Sequence, residues 1–202
     1  AKHWLRQAGA RELVVIRLGL SGLLLMPLAL TFELQPMPVE FWAWIGVLLP
    51  LELVAMLLYV TAIRDHPLAL TVPYLGFVGV LLVVLGSWLL NFEQADRLTL
   101  TTLTAPFRAI LDNRGARLML AAASIYAVTS VGGKAAMTWM PPEQFGAFYF
   151  ALLGVMTLVF VGLTRPSALR VGRFGWLPLL IVAGFMAGMV VTHFLALAKV
   201  EA

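Results

Sequence analysis

The chain has 202 residues, of which 61% are hydrophobic and only 12% charged. Water-soluble domains carry charge on about a quarter of their residues, so this composition excludes one and describes a membrane protein. Cysteine is absent, which removes disulfides, thiolate nucleophiles and Cys-ligated metal sites. His3, His66 and His193 are too scattered for a local metal motif, so no metal and no cofactor are expected. The formal net charge of +4 does not read as nucleic-acid affinity. The basic residues sit between apolar spans, where they act as topology determinants, and no nucleic-acid partner is expected.

In chain order, six apolar windows are read as spans: 13–32, 41–63, 68–90, 118–140, 145–164 and 176–198. Each holds about 20 residues, the length that crosses a hydrocarbon core of about 30 Å. Runs such as Leu23–Met26 and Val78–Leu85 lack the polar alternation of a barrel strand, so all six are taken as helices. The fold class is an all-α polytopic membrane bundle with the lipid bilayer as its solvent. No charged leader with a small-residue cleavage site precedes the first span, and no additional soluble domain is expected. The stretch 91–117 places Leu98, Leu100, Leu103, Phe107, Ile110 and Leu111 among Thr and Arg. It reads either as an amphipathic helix along the interface or as an ordinary loop.

Loop charge tests the span count. With six simple crossings, five basic residues fall on the N-terminal side and seven on the other, which is no bias. If 68–90 leaves and returns on one side, the division becomes 11 against 1, with Arg17 and Lys134 inside spans. Twenty-three residues cannot cross twice as helices. That window is therefore either a re-entrant hairpin broken around Pro73, Gly76 and Gly79, or a pair of helices missing residues between them.

Weak internal repetition accompanies this pattern. An offset of 132 residues places Ala1-Lys2 on Gly133-Lys134, Gly22 on Gly154 and Trp44 on Trp176. A further shift of two aligns Tyr59–Arg64 with His193–Ala198. Paired halves with spans in opposite senses are typical of secondary transporters, whose substrate sites lie near the midplane between repeats.

The stretch Tyr59-Val-Thr-Ala-Ile-Arg-Asp-His-Pro-Leu-Ala-Leu-Thr-Val-Pro73 resembles the junction of the third and fourth helices in the EamA-type drug/metabolite transporter superfamily. Val78–Asn91 is similar to that family's fifth helix, and Leu195–Ala202 to the end of its eighth. The resemblance implies two inverted five-helix repeats, about six helices of the ten being visible here. It divides the chain into a first repeat, 1–91, an inter-repeat loop, 92–117, and a second repeat, 118–202. The family's first helix would precede Ala1, its fourth and fifth would be fused near Phe77, and its last two would follow Ala202. It implies a multi-pass permease of the cell membrane, the bacterial inner membrane, that exports a small organic metabolite or drug by alternating access. The charge count sets the loops after family helices one, three, five and seven in the cytoplasm, opposite to the superfamily's usual arrangement.

An ionisable group within a bilayer is a functional hypothesis by default. Four qualify: Arg17, Glu52, Lys134 and His193. Arg17 and Lys134 also read as anchors that snorkel to the interface. Glu52, near mid-span, reads either as a proton-coupling or substrate-contacting group or as a buried carboxyl, protonated or paired with Lys134. His193 reads as a site residue or as a packing histidine. Tyr59 and Tyr74, like Trp44, Tyr126 and Tyr149, line a cavity or belong to interfacial aromatic belts. Pro73, matching the early proline of the family's fourth helix, frees a backbone carbonyl that could face substrate, or is a tolerated kink. Gly184 and Gly188 form a G-x-x-x-G pattern and Gly19 with Gly22 a second small-residue seam, suited to packing within the bundle or to a homodimer face.

Two readings compete with transport. Gly19-Leu-Ser-Gly22 with His193 has the outline of an intramembrane serine protease of rhomboid type, but the serine lies in the first span rather than the fourth of six. Alternatively, the chain is a non-transporting helical fragment or assembly partner. A phosphate-binding G-x-x-x-x-G-K-[ST] loop is absent, so nucleotide-driven transport is not expected. The charge pattern yields a direct test: with no native cysteine, Arg64→Cys and Arg114→Cys are expected to react with an impermeant thiol reagent from the cytoplasmic side alone. Glu40→Cys and Pro141→Cys should react from the other. Reaction of the first two from opposite sides would restore six simple crossings.

Overall fold

A computed structural model describes residues 7–32, 36–65 and 112–200. Five helices among them are long and apolar enough to cross a membrane: α1 (Ala10–Ala29), α2 (Val39–Asp65), α3 (Arg114–Ala136), α4 (Pro142–Thr164) and α5 (Trp176–Lys199). Every regular element among the described residues is helical, as lipid requires of an open chain that must satisfy its own backbone polar groups. Two 3-10 turns, Pro166–Leu169 and Val171–Phe174, lead from α4 to α5. The window 68–90, including Pro73 and Tyr74, lies outside the described residues.

Five of the six sequence-read spans are thus present as helices, with ends moved by local polar contacts. α1 begins at Ala10 because the Gly9 N–H donates to the Glu12 carboxylate at 2.7 Å, capping its first turn. α3 starts at Arg114 because the Asn113 side-chain oxygen accepts the Ala116 N–H at 3.1 Å. Pro142 opens α4, where its missing N–H removes a donor that the first turn leaves unpaired anyway. Within α1, Val15–Leu20 form a π-helical segment rather than an α-helical one. The Ser21 hydroxyl donates to the carbonyls of Arg17 and, at 3.2 Å, Leu18 at its end.

The chain divides into two compact units: residues up to Leu53 together with those from Val128 onward, and Val54–Ala127. In the first unit, α1 and α4 pack antiparallel along their length. Ala29 clusters with Ala147 and Ala151, Gly22 meets Gly154, Gly19 meets Leu158, and Val15 and Ile16 cluster with Val161. At the centre the two backbones touch. A Cβ on Gly22 would stand 2.5 Å from the Phe150 carbonyl oxygen and 2.6 Å from the Gly154 Cα. α5 lies antiparallel to α4, with Phe194 seated on Gly146 and Leu179 joining the Val161 cluster. Also in this unit, Gly132 of α3 receives Leu48 and Trp44 of α2, while Phe41 and Trp139 meet edge to face at 6.4 Å. In the second unit, the Tyr126 hydroxyl donates to the Met56 sulfur at 3.9 Å, and Ala55, Val60, Ala62, Ala116, Met119 and Ala122 are buried.

The α1–α4 sense discriminates between the two charge patterns. Six simple crossings would run 13–32 and 145–164 parallel; the division of 11 against 1 runs them antiparallel, as observed. Of the two glycine seams, Gly19 and Gly22 pack within the unit. Gly184 and Gly188 do not: among the described residues a Cβ at either would meet nothing within 4 Å. Gly22→Ala is accordingly expected to destabilise the protein by about 2 kcal/mol in reversible unfolding from mixed micelles, an overpacking cost. Gly184→Ala should be neutral, or stabilising by up to about 1 kcal/mol through helix propensity.

Candidate functional site

Glu52 lies at the centre of α2, 13 residues from Val39 and 13 from Asp65. At 1.5 Å per residue it stands about 20 Å from either helix end, near the midplane of a bilayer. The carboxyl is half-buried and hydrogen-bonds the side chain of Thr129 on α3, itself buried. Tyr149 of α4 is within the electrostatic reach of Glu52 and is 6% exposed. Phe145 stacks on Tyr149 with centroids 5.4 Å apart, and Phe194 of α5 lies 5.9 Å from Phe145. Three helices of the first unit thus present a carboxyl, a hydroxyl and a phenol, backed by two phenyl rings.

Local sequence makes this possible. α2 is held in the bundle by Phe41, Ile45, Leu48 and Leu53, all nearly fully buried, and the periodicity of these anchors fixes the face on which Glu52 falls. Pro50 precedes Glu52 by two residues inside the helix and has no N–H to give the Gly46 carbonyl, so α2 is weakened one turn from the carboxyl. The rule that singled out Pro73 applies equally to Pro50, which the sequence reading passed over. Chemically, the cluster can exchange one proton or offer an anion to a positively charged group, with the Thr129 hydroxyl as relay or ligand. Among the described residues no group of His, Asp and Glu could hold a metal ion.

The other sequence candidates are dispersed. Lys134 is exposed on α3, and Glu52 hydrogen-bonds the Thr129 side chain. His193 is exposed on α5, its ring edge-on to Phe194 at 5.3 Å. Tyr59 is half-buried in the second unit, and Arg17 is half-buried in the π-helical segment. Pro73 and Tyr74 fall outside the described residues. Tyr149, grouped with the aromatic belt or a cavity on sequence grounds, is an interior residue. Phe41, Trp42, Trp139 and Phe148 form an aromatic cluster in which Phe41 and Phe148 are buried and Trp42 and Trp139 exposed. Ser21 is fully buried, and its hydroxyl is turned onto its own helix by the bonds to Arg17 and Leu18. A serine nucleophile needs that hydroxyl directed at a base and open to substrate.

Sequence reading also missed Glu12 and Arg173, which form an ion pair at 2.7 Å across 161 residues of chain. In the sequence Arg173 reads only as one of the basic residues between spans. No family model, curated protein or solved structure matches the chain. The Glu52–Thr129 bond can be weighed on its own: a cycle of Glu52→Gln, Thr129→Val and the double variant is expected to give a coupling energy of about 1–2 kcal/mol. Additive effects would mean that the two side chains act independently.

Proposed function

We propose that the chain is the helical core of a secondary membrane carrier that moves a small organic metabolite or drug, as an exporter of the bacterial inner membrane. Glu52 is its coupling or substrate-contacting group. The observation that carries this reading is a carboxyl at the centre of a 27-residue apolar helix, hydrogen-bonded to Thr129 and facing Tyr149 from a third helix. Such a group is expensive to maintain in a bilayer, and membrane proteins that keep one place it on an ion or substrate path.

A second observation supports an inverted-repeat arrangement of the EamA type. The offset that aligns Gly22 with Gly154 also carries Ala10, the first residue of α1, onto Pro142, the first of α4. These two helices run antiparallel, as equivalent helices of inverted repeats must. Gly22 and Gly154, equated by the offset, are the pair whose backbones touch. Two elements exchanged by a two-fold axis meet on that axis at equivalent residues, so the contact falls where a pseudo-two-fold would cross. Rocking of one repeat against the other about such an axis would open Glu52 to each side in turn.

Everted membrane vesicles energised by a pH gradient and offered a panel of fluorescent organic cations and radiolabelled amino acids test the reading. Wild-type protein should accumulate at least one probe in a gradient-dependent way. Glu52→Gln should abolish that accumulation while folding and inserting normally, and Tyr149→Phe should weaken it. Unchanged gradient-driven accumulation by a well-inserted Glu52→Gln variant would rule out the coupling role.

A further inference from the structure

At the end of the first unit remote from the Phe41–Trp42–Trp139–Phe148 cluster, α1 meets the loop between α4 and α5 through an apolar cluster and through the Glu12–Arg173 ion pair. A single nitrogen of Arg173, Nη2, donates to both Glu12 oxygens, at 2.7 and 2.9 Å. The two partners differ in environment: the Glu12 side chain is 10% exposed and that of Arg173 57%. Breaking an ion pair in a protein interior normally strands a charge. Here both groups keep other partners. The Glu12 carboxylate retains the Gly9 N–H at 2.7 Å, and the Arg173 guanidinium, on a side chain that is more than half exposed, lies 4.7 Å from the centroid of the Phe174 ring.

The helix behind the pair is built to bend at one place. Val15–Leu20 are π-helical, a geometry that interrupts the regular ladder and marks hinges in otherwise α-helical rods. Immediately beyond, the Gly22–Gly154 backbone contact holds the rest of α1 against α4 with no side chain to yield. The first half of the helix is therefore separable from the second. What it covers is Val161, Ala168, Val171 and Leu179, with Leu158, Phe174 and Val182 packed against them. The loop that receives it consists of two short 3-10 turns ending at Gly175, whose φ of +82° suits glycine.

We propose that Glu12 and Arg173 form a releasable latch. When it opens, Ala10–Val14 swings about the π-helical segment, away from the Pro166–Phe174 turns, and uncovers this end of the unit while the Gly22–Gly154 contact stays closed. This does not depend on the carrier reading.

Single-cysteine proteins in detergent micelles test the latch, because the chain has no native cysteine. Ala168→Cys lies beneath it and Met140→Cys is buried at the opposite end of α4. Adding Glu12→Gln should speed maleimide labelling at Ala168→Cys roughly fivefold, the factor an ion pair of this exposure contributes, and leave Met140→Cys unchanged. Equal acceleration at both positions, or none at Ala168→Cys, would overturn the proposal. Should Glu12→Gln fail to fold, hydrogen exchange on the wild-type protein decides. Raising salt from about 0.1 M to about 1 M shortens the screening length from about 10 Å to about 3 Å, and should speed exchange in Ala10–Val14 but not in Ser21–Ala29. A uniform response, or none, would contradict a latch.

Discussion

Between α1 and α4 the backbones of Gly22 and Gly154 meet with no side chain between them, and the first unit is arranged around that contact. In lipid, burial of apolar surface supplies little net drive for helix association, because the acyl chains are as apolar as leucine. Close van der Waals approach has to replace it, and only glycine on both helices allows an approach at which an added Cβ would stand 2.6 Å from the facing Cα. The contact sets the crossing point, and the Ala29–Ala147–Ala151 and Val15–Ile16–Val161 clusters on either side set the antiparallel sense. α4, fixed in this way, carries Tyr149 towards Glu52 and offers Gly146 to Phe194 of α5.

The electrostatic features follow from where the packing is tight and where it is loose. Glu52 sits at mid-helix among Thr129 and Tyr149, where solvent screening is weakest and a change of charge has its largest effect on the surroundings. Glu12, by contrast, is held near a helix start by a backbone N–H and an arginine that is half in water, where the same change matters less.

Much of the helical layout was legible because hydropathy over about 20 residues leaves few alternatives in a membrane. Loop charge further distinguished an antiparallel 13–32/145–164 pair from a parallel one, since orientation depends on where Arg and Lys stop. Glu52 was legible for the same reason, as the one carboxylate deep in an apolar span. Its partners were not: Thr129 and Tyr149 lie on other helices, and nothing in a linear sequence distinguishes an interior tyrosine from one at the interface. Lys134, one alternative partner suggested by charge, stands exposed, as a long side chain that can reach outward allows. The Gly184–Gly188 pattern matched the Gly19–Gly22 seam in composition, but only the latter found a facing glycine. The π-helical turn and the Glu12–Arg173 pair left no local signature, because each is set by a neighbour far away in the chain.

The most direct measurement is disulfide mapping between α1 and α4 in native membranes, using paired cysteines in this cysteine-free chain. The antiparallel, glycine-centred crossing requires Ala29→Cys to cross-link rapidly with Ala147→Cys, because these alanines share one cluster, and to remain unlinked to Val161→Cys. Efficient linkage of Ala29→Cys to Val161→Cys, with none to Ala147→Cys, would mean that the helices run parallel and would contradict both the crossing and the proposal of inverted repeats built on it.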